Sequence, residues 1–462
     1  MNENLFISCS LYPMRKDSSF HSFLKDIKSL QSLEIFFKSS ERKRYSRDFF
    51  DYSPVLKELL HECCADLVVK PLSANAIVSV AELCQRYKVP LTLRGSGTGN
   101  YGQCVPINGG VVMLMTSINK IRNFDSSTGD VTVEAGCLLG ELNKYLLNKG
   151  RHLKLMPSTC RTASVAGFIA GGSGGIGSVR WGFLRDPGHL LALEIVTLEK
   201  CSRKIQLDAS SAEAINHAYG TNGIITALKL STCIAIDWHE IAIDCNSFSK
   251  AMEILLSSTQ AAVDLFLCTL LDKKIIEHIP SWSGEPRGKH RLLLLVSPNG
   301  ITTLERISQK AGADFYNLGP EKEKEGNGLR ELSWNHTTMH MRSIDSNLTY
   351  LQMLLPQPEI NAINAINAKW GDNILWHLEG VRQQGVQRIA ALPLIQWQGQ
   401  KKLESLMKDC KEAGAVLFNP HVITVEDGGL GVIDSDQVQA KKQYDPQGIL
   451  NPGKLRGWQQ FT

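Results

Sequence analysis

Two stretches dense in glycine, each bounded by strand-like sequence, constrain this chain more than any other feature. The first reads Arg94-Gly95-Ser96-Gly97-Thr98-Gly99-Asn100-Tyr101-Gly102-Gln103 and follows the apolar run Val89 to Leu93. The second runs from Gly167 to Gly177, ahead of Leu191 to Leu198. Glycine lacks a Cβ, so its backbone can approach a ligand closely, and successive peptide N–H groups can form a nest for a diphosphate. Both stretches literally contain G-x-G-x-x-G, at Gly97 to Gly102 and at Gly172 to Gly177. The dinucleotide fingerprint, however, needs its third glycine to open a helix that faces the pyrophosphate. Cys104, Pro106 and Gly109-Gly110 follow the first stretch, and Trp181-Gly182 and Pro187-Gly188 follow the second. No helix is predicted after either loop, and phosphate cradling rests on the backbone alone.

The surrounding pattern is mixed α/β. Leu67-Val68-Val69 predicts a strand stopped at Pro71, and Ser73 can cap a helix whose Ile77, Val80, Ala81 and Cys84 share one face. Val111 to Met115, Ile121 to Phe124, Val131 to Ala135, Leu191 to Leu198 and Gly223 to Thr226 read as strands, and Leu138 to Asn148 as a helix ended by Gly150. Beyond Ile234 the glycine loops cease and strands such as Leu265 to Leu267 and Leu292 to Val296 alternate with helical segments. The predicted division is an extension at 1–55, a cofactor domain at 56–235, a second domain at 236–415 and a closing segment at 416–462. The extension carries clustered charge around Arg42-Lys43-Arg44 and shows neither caps nor a clear period. Glu321 to Glu325 reads as a solvated loop.

Composition narrows the partners. The 462 residues are 43% hydrophobic and 21% charged, an ordinary folded balance, with a net charge of +4 that is too small to predict sequence-independent nucleic-acid binding. Twelve cysteines without a C-x-x-C pair offer no zinc or iron–sulfur spacing and read as reduced thiols. Met1-Asn2-Glu3-Asn4 lacks a basic start for a secretory signal. A cytoplasmic protein without a transmembrane segment is expected, with Arg42-Lys43-Arg44 as the one feature that could serve a peripheral membrane contact.

Val69-Lys70-Pro71, Arg94 to Gly99, Val131-Thr132-Val133-Glu134-Ala135-Gly136 and Gly220-Thr221-Asn222-Gly223-Ile224-Ile225-Thr226 occur in that order. Together they resemble the FAD-binding domain of the vanillyl-alcohol-oxidase/p-cresol-methylhydroxylase superfamily. Tyr444 to Lys454, with Asp445-Pro446-Gln447-Gly448 and Asn451-Pro452-Gly453, is similar to the closing signature of its glycolate oxidase catalytic subunit and D-lactate dehydrogenase branch. The resemblance implies an α+β fold: a two-subdomain FAD domain, a substrate domain with an antiparallel sheet, and a tail that returns to the flavin domain. It implies that Arg94, Gly95, Ser96, Gly97, Thr98 and Gly99 wrap the FAD diphosphate. It implies that Pro157, Ser164, Gly167, Gly174 and Gly177 belong to a second wall, and that Ile224 and Ile225 meet the flavin through main chain. Thr98 stands where some members attach flavin through histidine, so non-covalent FAD is expected. Cys160 lies near the position from which others attach it through cysteine.

Two motifs of that branch, His-x-Gly-Asp-Gly-Asn-x-His and Ser-Gly-Glu-His-Gly, are missing, which removes the expected metal site. Trp334 to Arg342, Trp376-His377-Leu378-Glu379 and Asn419-Pro420-His421 stand in the second half instead. Oxidising a hydroxy acid on a flavin requires a base for the hydroxyl proton and a cation for the carboxylate. His336, His340, His377 and His421 are the candidate bases, although each could equally be a satisfied core or surface histidine, and Arg342 is the candidate clamp. The expected activity is FAD-dependent oxidation of a small 2-hydroxy acid or related alcohol. The electrons would pass to a partner protein, a quinone or oxygen, since the chain has no second redox motif. The alternatives are a flavin-binding subunit without catalysis and a non-redox flavin transferase of the same superfamily.

Overall fold

Leu67, Val68 and Val69 are wholly buried in the strand Leu67–Pro71, which lies parallel to Val111–Leu114 and, across it, to Leu91–Arg94. Between the outer two strands the chain crosses over through the helix Ala74–Tyr87, capped where Ser73 Oγ accepts from Ala76 N at 3.2 Å. Its inward face carries Ile77, Val80, Ala81 and Cys84, as the spacing predicts. Full burial of Ile77 and Val80 contributes about 1.5–3 kcal/mol each. The structure is a computed structural model that describes residues 17–285, 287–322 and 326–459; the expectations made for residues 1–14 and 323–325 fall outside the described residues.

The segment before residue 55 is more structured than its charge suggests. The helix Ser18–Lys28 starts where Asp17 accepts from Phe20 N at 2.8 Å, and it buries Phe20, Phe23 and Ile27 against the helix Ala74–Tyr87. Leu33–Phe36 then adds an antiparallel edge strand to Leu67–Pro71. A cap and an i, i+3, i+7 apolar stripe were therefore present in the sequence, obscured by the lysines and serines between them.

A second sheet of five antiparallel strands orders Ile121–Phe124, Val131–Glu134, Ile224–Leu230, Leu190–Val196 and Lys204–Asp208. The third and largest has eight antiparallel strands, from Asp314–Pro320 at one edge through His239–Cys245, His290–Val296, Leu265–Leu271, His377–Gln383, Val386–Ala391 and Gln352–Leu354 to Val416–Phe418. The helices Phe248–Gln260, Ile301–Ala311, Glu359–Trp370 and Gln400–Glu412 contribute to the apolar core beneath it. The architecture is α+β, with a large antiparallel sheet beside a two-sheet unit.

The closing segment packs onto the first sheet. Leu91 N donates to Ile449 O at 2.9 Å and Asn451 N to Leu91 O at 2.7 Å, so Leu450 runs parallel to Leu91. The turn Asp445-Pro446-Gln447-Gly448 shapes this return: the Asp445 carboxylate accepts from Ile449 N and Leu450 N, and Gly448 takes φ +66°. Lys441, buried beside it, pairs with Asp445 at 2.6 Å and donates to Thr221 O and Leu450 O.

Inside the large sheet Arg291 and Asp244 form a two-pronged ion pair at 2.6 and 2.9 Å, both side chains at most 2% exposed. The remaining guanidinium donors reach the carbonyls of Ser283, Gly284 and Glu285. Removing one partner leaves an uncompensated buried charge. Asp244→Ala is expected to lower unfolding free energy by about 3–5 kcal/mol, read from urea denaturation.

Candidate active site

The first glycine stretch leaves the sheet at the end of Leu91–Arg94, and its backbone is shaped from beneath by Arg94. That guanidinium turns back to Arg47 O at 2.5 Å and Cys104 Sγ at 3.2 Å. Gly97 has φ +74°, and a Cβ there would collide with the Arg94 guanidinium, so both conformation and space require glycine. A Cβ on Gly95 would collide with Ser164 Oγ from the second stretch. The two loops thus touch through a gap that only hydrogen fills. Among the described residues the N–H groups of Ser96, Gly97, Thr98 and Gly99 make no hydrogen bond within the chain.

The second stretch differs from its sequence reading. It contains a helix, Val165–Gly171, capped by Ser164 Oγ accepting from Gly167 N, and Gly177 precedes the single turn Ser178–Trp181. Val165, Ala166, Phe168 and Ile169 are buried, and this packing outweighs the low helix propensity of the glycines. Gly175 N donates to Ser178 Oγ at 3.0 Å, and a Cβ on Gly175 would collide with Met156 O.

Between the loops and the large sheet lies one cavity of about 780 Å³. Gly95, Ser96, Gly97, Thr98, Gly99, Pro157, Ser164, Gly167, Gly174 and Ile225 line it. Arg94 and Gly177 lie behind the wall, and Ile224 is wholly buried beside Ile225. Cys160 is also absent from the wall. Four non-glycine residues with positive φ, His217, Tyr219, Trp334 and Gln384, face the cavity. Such backbone costs on the order of 1–3 kcal/mol per residue and persists where the surroundings over-determine it. Three buried polar atoms on lining residues, Tyr219 Oη, Asn335 Oδ1 and His336 Nδ1, make no hydrogen bond among the described residues. Free N–H groups, a glycine cradle and orphaned polar atoms fit an extended ligand with a diphosphate and many hydrogen-bonding groups, as FAD has.

Of the candidate bases, His336 alone lines this cavity. It stands on the helix Asn335–Ile344, with Nδ1 2.9 Å from Glu331 Oε2. Arg161 meets the other Glu331 oxygen at 3.2 Å. His340, one turn on, points its Nε2 to Glu331 O at 2.8 Å and packs edge-on against Trp282. His377 is wholly buried and pairs with Glu379 at 2.7 Å, while the same carboxylate accepts from Thr269 and from Trp334 N. That network fixes the strained Trp334 rather than opening onto the cavity. Arg342 is also away from the wall: its guanidinium donates to Leu348 O and Asp51 O and stacks over the Tyr52 ring. Two of its donors are committed to backbone, and it does not reach the cavity that His336 lines.

His421 is structural. Nε2 faces Tyr350 O at 2.9 Å and Nδ1 faces Ser53 Oγ at 2.8 Å, an arrangement that suits a neutral ring with its hydrogen on Nε2. Burial brings its pKa down to about 4 from 6.5. The unfolded chain therefore binds the extra proton first, and stability falls as pH drops from about 6.5 toward 4, by up to about 3 kcal/mol. Denaturation midpoints across this window are expected to show that slope and to lose it in His421→Gln.

Sequence reading missed Asp48, which lines the cavity although it falls in the segment taken as an extension. Burial pushes its carboxyl up to about 6 against the pull of Lys454 and Arg94, and burial brings Lys454 down to about 8. Lys454 donates to Gly102 O at 2.6 Å and so ties the tail to the first loop. Tyr219, Gln352, Gln383 and Glu426 were likewise unforeseen. Their common origin is tertiary placement, since none lies in a recognisable motif. Among the described residues no cluster of three or more His, Cys, Asp or Glu could hold a metal, and no helix is long and apolar enough to cross a membrane.

Residues 65–200 match the family model of an FAD binding domain. The D-lactate dehydrogenase of Anaerostipes hadrus is 31% identical over 170 residues, 36% of this chain and 36% of that protein. The glycolate oxidase subunit GlcD of Bacillus subtilis is 29% identical over 136 residues, 29% of this chain and 28% of that one. The chain thus matches about a third of the length of these relatives. Among solved structures, an alkyldihydroxyacetonephosphate synthase superposes with a TM-score of 0.71 at 17% identity, covering 96% of this chain and 87% of that chain, a likeness of fold. The resemblance read from the motifs holds, and FAD is the cofactor of this domain.

Proposed function

We propose that this chain, with its FAD-binding domain and its likeness to D-lactate dehydrogenase and glycolate oxidase sequences, is an FAD-linked oxidoreductase that oxidises a CH–OH group of a small hydroxy acid or related alcohol. The observation that carries this reading is His336: a histidine backed by a carboxylate at 2.9 Å, on the wall of the cavity that both glycine loops line.

The N–H groups of Ser96 to Gly99 would hold the diphosphate, and Pro157, Ser164, Gly167, Gly174 and Ile225 would shape the walls around the rest of the cofactor. FAD, when bound, accepts the hydrogen and electron pair of the substrate C–H bond. His336 Nε2 takes the hydroxyl proton, and Glu331 stabilises the charge that this places on the ring. Tyr219 and Asn335 offer polar atoms that a bound molecule would satisfy. The strained Trp334, pinned through its N–H to Glu379, fixes the start of the helix that carries His336. Electrons would leave to an acceptor outside the chain, whether a partner protein, a quinone or oxygen.

Anaerobic addition of alcohols and D- and L-2-hydroxy acids to the FAD-loaded protein tests the reading. Loss of the flavin band near ~450 nm with a member of the panel is expected. A flavin that stays oxidised with every compound would favour the non-catalytic subunit instead.

A further inference from the structure

The charges on the cavity wall bear on which CH–OH compound enters. Four carboxylates line it, those of Asp48, Asp186, Glu426 and Asp434, against one guanidinium among the described lining residues, that of Arg185. Arg185 is already engaged, with Nη2 3.1 Å from Asp434 and Nε 3.4 Å from Glu213. Arg342, the one arginine on the helix that carries His336, lies off the wall and donates to Leu348 O and Asp51 O. The side chains that the large sheet offers to the cavity are neutral: Gln352, Met353, Leu354, Gln383 and Phe418.

We infer that the substrate of this site is an uncharged alcohol or diol, not a hydroxy carboxylate. The inference rests on the function proposed above and narrows it. A carboxylate taken from water into a partly enclosed site needs a cation or several committed donors to offset its desolvation. The described lining offers it four acidic side chains and one guanidinium, itself paired with Asp434. Neutral amides and hydroxyls, by contrast, satisfy hydroxyl groups without a charge partner, because a glutamine side chain both donates and accepts. The apolar neighbours Met353, Leu354 and Phe418 suit a carbon skeleton and disfavour an anion.

Matched pairs that differ only in carboxylate against CH2OH decide the matter: glycolate against ethylene glycol, lactate against 1,2-propanediol, and mandelate against 1-phenyl-1,2-ethanediol, both enantiomers where they exist. Two readouts are taken on the FAD-loaded protein, affinity by equilibrium dialysis and anaerobic bleaching near ~450 nm. In the pair that fits best, the neutral member is expected to bind at least about tenfold more tightly and to bleach the flavin faster. An acid that binds more tightly or bleaches faster than its diol overturns the inference and leaves the oxidoreductase reading standing. Binding and bleaching by neither member of any pair overturn both.

Discussion

Gly95→Val protein is expected to purify folded but nearly free of flavin. The side chain at 95 would occupy the space of Ser164 Oγ, so one of the two loops must move away from the other. Ser164 is not free to yield, because it caps the helix Val165–Gly171, and Gly95 itself opens the turn whose residues line the cavity. The damage therefore concentrates on the geometry of the nest. FAD affinity should fall at least about a hundredfold, close to 3 kcal/mol, read by fluorescence titration of the apoprotein. The control is Ser164→Ala, which removes the hydroxyl and leaves the gap open. Losing the cap costs about 1 kcal/mol of stability, while FAD should remain bound. Full flavin content in Gly95→Val would mean that the loops do not form the diphosphate site.

The second large effect is kinetic. His336→Ala is expected to keep FAD and to slow flavin reduction by about 10²–10⁴-fold, the range that a general base supplies. Glu331 acts through the ring and is a positioning residue, so its loss should show a different signature. In Glu331→Gln the imidazolium loses its neighbouring carboxylate. Flavin reduction should then slow by on the order of tenfold with FAD retained, and Glu331→Asp should recover most of that rate. An equal loss in Glu331→Asp would make Glu331 a purely structural support for the helix Asn335–Ile344. Unchanged reduction in His336→Ala would place the base elsewhere on the wall.

What the sequence made legible follows from how local each signal is. The strand at Leu67, the capped helix from Ala74 and the two glycine stretches are written in contiguous residues, and the structure realises them close to their expected bounds. The helix Val165–Gly171 was hidden because its glycines read as loop, although Ser164 and the apolar pair Phe168 and Ile169 were in view. The histidines show the opposite limit. His336 and His340 are four apart and share a helix, yet one turn of displacement carries His340 off the cavity wall to Glu331 O. His377 and Glu379 are two apart on one strand face, where the same alternation that predicts a surface ligand pair also builds a buried one. Arg342 finds its acceptor at Asp51, 291 residues earlier, and no local pattern reports such a contact. Asp48 enters the wall by the same kind of long-range packing, from a segment whose charge argued for the surface.

The most direct test of the account is a crystal structure of the chain with FAD bound. Diphosphate oxygens should lie within about 3.2 Å of N–H groups in Ser96 to Gly99, and the reactive ring should leave room for one small molecule between itself and His336 Nε2. A diphosphate held away from that loop, or a flavin ring too far from His336 for one substrate to touch both, would contradict it.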